Sequence, residues 1–265
     1  MFLATNSGPF ELREVSLRQP DLPSLRILHI SDIHFAPGQS RKAGFLRELA
    51  QTNPDLVVNT GDNLGHLNSI NPLLSAIEPL LAFPGVFVNG SNDYLAPKLK
   101  NPARYLLGPS RQDSDPKKLD SQRMTSEFEG AGWLNLNNSS ATMALKGKEI
   151  RFAGLDDPHI NRDDEASLNG QQAKIGVVHA PYIRSLDALR KTGAELLFAG
   201  HTHGGQLCLP GGKALVTNCD LPTAQASGLS DYRGANLHVS AGVGCSIYAP
   251  LRIFCAPSVT LVNVN

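Results

Sequence analysis

The sequence predicts an α/β fold in which two packed β-sheets carry helices on their outer faces. Two observations lead there. Three strand–loop–helix units follow one another between Arg26 and Asp93, the order that builds a mostly parallel sheet. Strand-like runs then resume from Ala141 to Val264, enough for a second sheet-forming half, with no repeat at a fixed period. In a sheet of this kind ligands gather at the carboxyl ends of the strands, and the polar motifs of the first half all sit at such ends.

The elements run in order. Phe10–Leu17 alternates apolar and polar residues, the mark of a half-buried strand. Arg26–Ile30 is short and apolar and leads into Ser31-Asp32. Residues 41–51 form an amphipathic helix with Phe45, Leu46 and Leu49 on one side. Asp55–Asn59 is a buried strand ending in Thr60-Gly61-Asp62. A helix over 71–82 follows an Asn-Pro start, and Gly85–Val88 is a strand ending in Asn89-Gly90-Ser91-Asn92-Asp93. Residues 96–122, rich in Pro, Asn, Asp and Lys, read as a partly irregular insertion, not a domain boundary. Ala141–Leu145 and Lys148–Phe152 form a hairpin around Lys146-Gly147. Buried strands follow at Lys174–Val178 and Glu195–Ala199, then strand-like runs at Leu237–Ser240 and Val259–Val264. The expected organisation is a single domain over 1–265, with residues 1–23 as its N-terminal strand segment.

Composition excludes several classes. The 24 basic residues balance the 24 acidic ones, so there is no nucleic-acid signal and no global field toward a membrane. The N-terminus has no basic region and no long apolar run, so it reads as neither a signal peptide nor a transmembrane segment. Cys208, Cys219, Cys245 and Cys255 lack CxxC spacing and read as small buried thiols in a reducing compartment, which points to the cytoplasm.

Four motifs carry chemistry. Asp32-Ile-His34 lies just past a strand, and strand residues separated by one point to the same side, so its carboxylate and imidazole can grip one ion. Gly61-Asp62-Asn63 puts a carboxylate after a glycine turn, and its two oxygens can bridge two cations. Gly200-His201-Thr202-His203-Gly204-Gly205 is the strongest, because paired imidazoles between glycines have little structural use and much metal-binding use. His179 adds an imidazole at another strand end. His29 and His238 lie inside strands and read as core or pairing residues.

As an ordered set these motifs resemble the calcineurin-like metallophosphoesterase superfamily, from about Arg26 to His203. The resemblance implies a four-layer αββα sandwich of two mixed β-sheets flanked by helices, and a pair of divalent or Fe/Mn-type ions. Asp32, His34 and His203 would hold one ion, Asp62 would bridge, and Asn92, His179 and His201 would hold the other. Carboxylate, amide and imidazole together suit Mn, Fe, Zn or Co better than Ca. The implied activity is hydrolysis of phosphoester bonds, phosphodiester or pyrophosphate, by a metal-bridging hydroxide. Gly204-Gly205-Gln206 and the Gly242–Pro257 stretch further resemble a bacterial, YkuE/YaeI-type phosphodiesterase branch. Some of its members act on lipid-linked nucleotides such as UDP-2,3-diacylglucosamine.

One loop departs from the superfamily. The usual Gly-Asn-His-Asp/Glu is here Gly90-Ser91-Asn92-Asp93. An ungapped match puts Ser91 at the ligand position, whereas a one-residue slip restores Asn92. Asn92 is preferred because an amide oxygen binds hard cations better than a hydroxyl. The histidine that protonates the leaving group is missing either way. That leaves Asn92, Asp93, His66 and His159 as candidate catalytic residues, and Asn63, Ser91 and Arg252 as candidate substrate contacts, Arg252 as a phosphate clamp or a structural residue. The Leu155-Asp-Asp-Pro-His159 run reads first as a turn. The expected partner is a small-molecule or lipid-linked phosphoester, with peripheral membrane contact in the lipid-linked case. The alternatives are a UDP-sugar-lipid pyrophosphatase and a metal-binding regulatory protein without turnover.

Overall fold

The computed structural model describes residues 3–98 and 117–265, so most of the expected 96–122 insertion lies outside the described residues. The chain runs β1 (Leu3–Ala4), β2 (Glu11–Leu17), β3 (Leu25–Ile30), α1 (Ser40–Glu48), β4 (Leu56–Asn59), α2 (Ile70–Leu81), β5 (Gly85–Phe87) and the short α3 (Ser91–Tyr94). It continues with α4 (Ser121–Gly130), β6 (Leu134–Asn135), β7 (Ser139–Leu145), β8 (Lys148–Leu155), β9 (Ile175–Val178), α5 (Ile183–Lys191) and β10 (Leu196–Ala199). The last part holds β11 (Cys208–Leu209), β12 (Lys213–Ala214), β13 (Gly228–Tyr232), β14 (Ala235–Val239), β15 (Arg252–Ile253) and β16 (Ser258–Val264).

Two six-stranded sheets result, in the orders β2-β16-β3-β4-β5-β6 and β13-β14-β10-β9-β8-β7. Each has a parallel run of four, β3 to β6 in the first and β14-β10-β9-β8 in the second, flanked by antiparallel pairing. The period-two alternation of the strands decides what lies between the sheets. Ile27, Leu56, Val58 and Val86 of the first sheet pack against Ile150, Phe152, Ile175, Val177, Leu196 and Phe198 of the second.

The opposite faces are covered by helices. Leu28, Ile30, Val57 and Phe87 meet Leu46 of α1, Leu73 and Ile77 of α2, and Met124 and Phe128 of α4. Ala153, Leu155, Val178, Leu197 and Leu237 meet Leu186 and Leu189 of α5. The layers are therefore helix, sheet, sheet, helix, as the resemblance implies. Each fully buried Leu, Ile or Phe in them contributes about 1.5–3 kcal/mol.

His29 and His238 interrupt the apolar interior between the sheets. They are buried and pair with one another, Nδ1 to Nδ1 at 2.7 Å, and His29 Nε2 lies 3.0 Å from Thr60 Oγ1. Both are core residues, as their strand positions predict. No helix among the described residues is long and apolar enough to cross a membrane.

Candidate metal centre

The strands β3, β4, β5, β9 and β10 end at one edge of the sandwich, and the loops after them converge. Three parallel-type contacts knit the first two loops: Asp32 N–H donates to Gly61 O (2.8 Å), His34 N–H to Asp62 O (2.9 Å) and Phe35 N–H to Asn63 O (2.8 Å). The Asp-x-His pair does not share a side through strand alternation as expected. Asp32 (φ 48°) and His34 (φ 42°) both take left-handed backbone, and so do Asp62 (55°), His201 (69°) and His203 (51°). Left-handed geometry turns each side chain inward from a loop, which a pleated strand could not do with five residues at once.

The Asp32 carboxylate is oriented on one side and open on the other. Asp32 Oδ2 accepts from Ser31 Oγ (2.5 Å) and His201 N–H (2.9 Å). Its Oδ1 is buried without a hydrogen-bond partner, 4.0 Å from His34 Nε2 and 3.7 Å from His203 Nε2. Asp62 Oδ2 stands between His34 Nε2 (3.5 Å) and His179 Nε2 (3.6 Å). His179 Nδ1–H donates to the Thr60 carbonyl (2.6 Å), which leaves its Nε2 as the nitrogen facing the carboxylates. The Nε2 atoms of His34 and His179 are themselves buried without partners.

Unpartnered acceptors at the centre of an otherwise hydrogen-bonded site are what a cation would satisfy. Two groups close enough to hold an ion are present, Asp32-His34-His203 and Asp32-Asp62-His179, all of them buried. The donor set fits a metal.

Electrostatics agree. Burial pulls His34 down to about 4 and His201 and His203 well below their ordinary values, so these imidazoles are neutral and ready to ligate. Burial pushes Asp32 up to about 6. It opposes ionisation of Asp62 too, yet His179, His34 and two hydrogen bonds from Asn92 hold that group at about 2. Burial likewise disfavours a charged His179, but Asp62, Asp157 and Asp32 raise it to about 9, so without a metal its Nε2 carries a proton that a binding cation would displace to expose the lone pair.

Glycines fit the ligands closely. A Cβ on Gly90 would lie 2.3 Å from Asp62 Oδ1 and 2.7 Å from His179 Cε1, and one on Gly200 would lie 1.9 Å from Ser31 Oγ.

The remaining sequence candidates divide. Asn92 reaches the cage: its N–H donates to Asp62 Oδ1 (2.7 Å) and its Nδ2 to Asp62 Oδ2 (2.8 Å). The hydroxyl of half-buried Ser91 accepts from Asn92 Nδ2 at 3.4 Å. His201 sits beside the cage, its ring 5.3 Å from His179, with Nε2 at 3.2 Å from the Asn218 carbonyl. His159 is half-buried at the rim, 4.6 Å from the His201 ring, with Nδ1 3.1 Å from the Tyr182 hydroxyl. His66 lies in the loop after Asp62, where its Nδ1 accepts from Asn68 N–H (3.1 Å).

Three expectations are corrected. Asp93 is fully buried and its carboxylate accepts from the backbone N–H groups of Asp62, Asn63, Leu64 and Gly90, so it ties two loops together and cannot reach a leaving group. Asn63 is also fully buried, between Asn59 and Asp93, out of reach of substrate. Arg252 is 0% exposed, with its guanidinium on the carbonyls of His203 (3.2 Å), Ala241 (2.7 Å) and Gly244 and on His203 Nδ1 (3.2 Å). It braces the His201–His203 loop, and no face remains for a phosphate.

Two contributors lie outside the motifs. Lys42 of α1 is fully buried beneath the Asp-x-His loop and donates to Ile33 O (2.7 Å), His34 O (3.4 Å) and Asn6 Oδ1 (3.2 Å). Asp156 accepts from the Tyr94 hydroxyl (2.9 Å) and from Arg162 Nε (2.8 Å), whose guanidinium lies 4.0 Å over the Tyr94 ring. The strand-end position of Asp156 and Asp157 was the available signal for the second. A lysine on an amphipathic helix gives none for the first.

Comparison with known proteins gives a consistent result. The family model for calcineurin-like phosphoesterases matches residues 25–205. The metallophosphoesterase YkoQ of Bacillus subtilis is 27% identical across 98% of this chain and 92% of its own length. YkuE of the same organism is 25% identical across 81% of this chain and 69% of its own length. The phosphodiesterase YaeI of Escherichia coli is 24% identical across 97% of this chain and 89% of its own.

Proposed function

The chain belongs to the calcineurin-like phosphoesterase family and is a metal-dependent phosphoesterase, and we propose that it hydrolyses phosphodiester or pyrophosphate bonds at a dinuclear centre. The position of Asp62 Oδ2 carries this reading, since it lies between His34 Nε2 at 3.5 Å and His179 Nε2 at 3.6 Å. On that basis Asp32, His34 and His203 serve one ion, His179, His201 and Asn92 the other, and Asp62 both. Rotating the Asn92 amide by half a turn presents its oxygen where Nδ2 now meets Asp62. The Asn218 carbonyl on His201 Nε2 leaves Nδ1 as that residue's ligating nitrogen.

Ions of the Mn, Fe, Zn or Co type held by these residues would supply the Lewis acidity that acidifies a water and polarises phosphoryl oxygens. The protein's part is to hold the ligands in place through Ser31, Thr60, Arg252 and Lys42. No side-chain nucleophile is required. His159 is the residue best placed to protonate a leaving oxygen, because its ring lies 4.6 Å from that of His201 at the rim and is oriented by Tyr182.

The test is turnover of bis-p-nitrophenyl phosphate by the full chain with Mn2+, beside Asp62→Ala and Asn92→Ala. Hydrolysis by the wild type that both substitutions suppress supports the reading. No turnover with any divalent ion defeats it.

A second reading is favoured by one surface. Leu3, Leu209, Leu215, Tyr248 and Leu251, each 43–46% exposed, lie on or beside the small β1–β15 and β11–β12 pairs. Gln206, three residues after His203, joins these pairs through Ala249 O (2.9 Å), Leu251 O (3.2 Å) and Ile253 N–H (3.0 Å). An apolar rim continuous with a metal-ligand loop suits a lipid-linked pyrophosphate such as a UDP-sugar-lipid, taken from the cytoplasmic membrane surface by a peripheral protein. Leu209→Ser/Leu251→Ser should then slow hydrolysis of an acylated nucleotide in vesicles and spare the soluble diester. Equal effects on both substrates would remove this reading.

A further inference from the structure

Asp157 is a buried carboxylate at this edge of the sandwich that neither the ligand motifs nor the loop scaffold uses fully. Strands β8 and β9 are parallel with Leu155 opposite Val178, so the residues just past Leu155 lie beside His179 at the same end of the sheet. The two aspartates there diverge. Asp156 is engaged by Tyr94 and Arg162, as described. Asp157 is 0% exposed, its Oδ1 accepts the His159 N–H at 2.9 Å, and its Oδ2 is buried with no hydrogen-bond partner.

A cap on the His159 turn needs one oxygen, and an asparagine would provide it without a buried charge. The second oxygen needs another explanation, since a desolvated carboxylate oxygen without a donor is destabilising. Its electrostatic neighbours point to the cage. Beyond burial, which raises Asp157 to about 7, the strongest influences on it are His179 and then Asp62. Asp157 lies outside the two tight ligand groups, Asp32-His34-His203 and Asp32-Asp62-His179. It is therefore not a direct ligand in either group.

We propose that Asp157 is the outer carboxylate of the second-ion site, its Oδ2 accepting a hydrogen bond from a water on the ion held by Asp62 and His179. This rests on the dinuclear reading above. A third carboxylate at that place balances the positive charge left when two divalent ions face only Asp32, Asp62 and one hydroxide. The other Asp157 oxygen caps the turn that carries His159, so the same residue couples the second ion to the rim histidine.

The test is metal uptake by the chelator-stripped full chain, measured with Mn2+ by titration calorimetry and by elemental analysis after gel filtration. Asp157→Asn keeps the shape and the cap on His159. It should fold with an unchanged circular dichroism spectrum and fill the first site normally. Its second Mn2+ should bind about tenfold to a hundredfold more weakly than in the wild type. Two ions bound with equal affinities by variant and wild type overturn the role of Asp157 and leave the dinuclear reading standing. A wild type that takes up only one ion overturns the dinuclear reading and the second-ion role together. Equal weakening of both ions in the variant also overturns the assignment, because it marks a general loss of structure at the site.

Discussion

Acid should loosen the interface between the two sheets before it dissolves the rest of the fold, and the His29–His238 pair sets the scale. Their Nδ1 atoms lie 2.7 Å apart, a spacing that requires one to donate and the other to accept. Protonating the accepting ring puts two N–H groups face to face in a buried space beside Phe198. Burial accordingly drives His29 well below 6.5 and His238 down to about 4. Because the folded values lie below the unfolded one, the unfolded chain takes up protons first as pH falls. The contribution is intact above 6.5, declines as pH falls below it, and is lost by about pH 4. At about 1.4 kcal/mol per unit, His238 alone accounts for roughly 3 kcal/mol. The perturbation is His29→Leu/His238→Leu, assayed by urea denaturation with chelator present at about pH 7.5 and about pH 4.5. Thr60 Oγ1 loses a partner at both pH values, a constant offset of about 1 kcal/mol. The carboxylates of the metal centre titrate in both proteins and cancel. Between those two pH values His238 alone accounts for about 2.5 kcal/mol and His29 adds in the same direction, so the variant should gain at least about 2.5 kcal/mol on the wild type on acidification. A stability difference that does not change with pH would refute the reasoning.

Three further outcomes are expected. Arg252→Met removes a buried guanidinium from the carbonyls of His203, Ala241 and Gly244. It should cost at least about 3 kcal/mol in chemical denaturation, and an unchanged midpoint would mean that the loop holds itself. Gly90→Ala places a methyl against Asp62 Oδ1 and His179 Cε1. Elemental analysis should find less metal retained with the circular dichroism spectrum preserved, and full retention would show that the cage tolerates displacement. His159→Ala should slow diesters with alkyl leaving groups by about a hundredfold or more while barely affecting p-nitrophenyl esters. Equal slowing of both would show that His159 does not act as the acid.

Much of this was legible in the sequence, for a physical reason. Strands buried on both faces read as unbroken apolar runs, and β3, β4, β9 and β10 each end at a polar motif, so fold and cage were marked by the same boundaries. The helix α5 was not legible. It follows a metal-ligand loop, and its Leu186 and Leu189 are interleaved with Arg184, Asp187, Arg190 and Lys191. The helix α4 begins inside a polar stretch and packs only Met124 and Phe128. At the site, residue type misled where a side chain turned inward. Arg252, Asn63 and Asp93 have substrate-binding or catalytic chemistry, and only tertiary packing shows Arg252 and Asp93 directed at backbone groups and Asn63 at the side chains of Asn59 and Asp93. Asp157 illustrates the converse, because an Asp-Asp-Pro run looks like a turn until its strand is seen beside the one that carries His179.

The left-handed backbone of Asp32, His34, Asp62, His201 and His203 has a consequence for how this chain tolerates change. Glycine would occupy any of these positions with less strain, by on the order of 1 kcal/mol each. Removing Asp32 would in addition relieve a buried carboxylate beside Asp62. Stability and ligation are thus opposed at the same residues, and a bound ion returns part of the difference by binding only the folded chain. A screen for thermostable variants run in chelator should enrich substitutions that dismantle the cage, whereas the same screen run with Mn2+ should reject them.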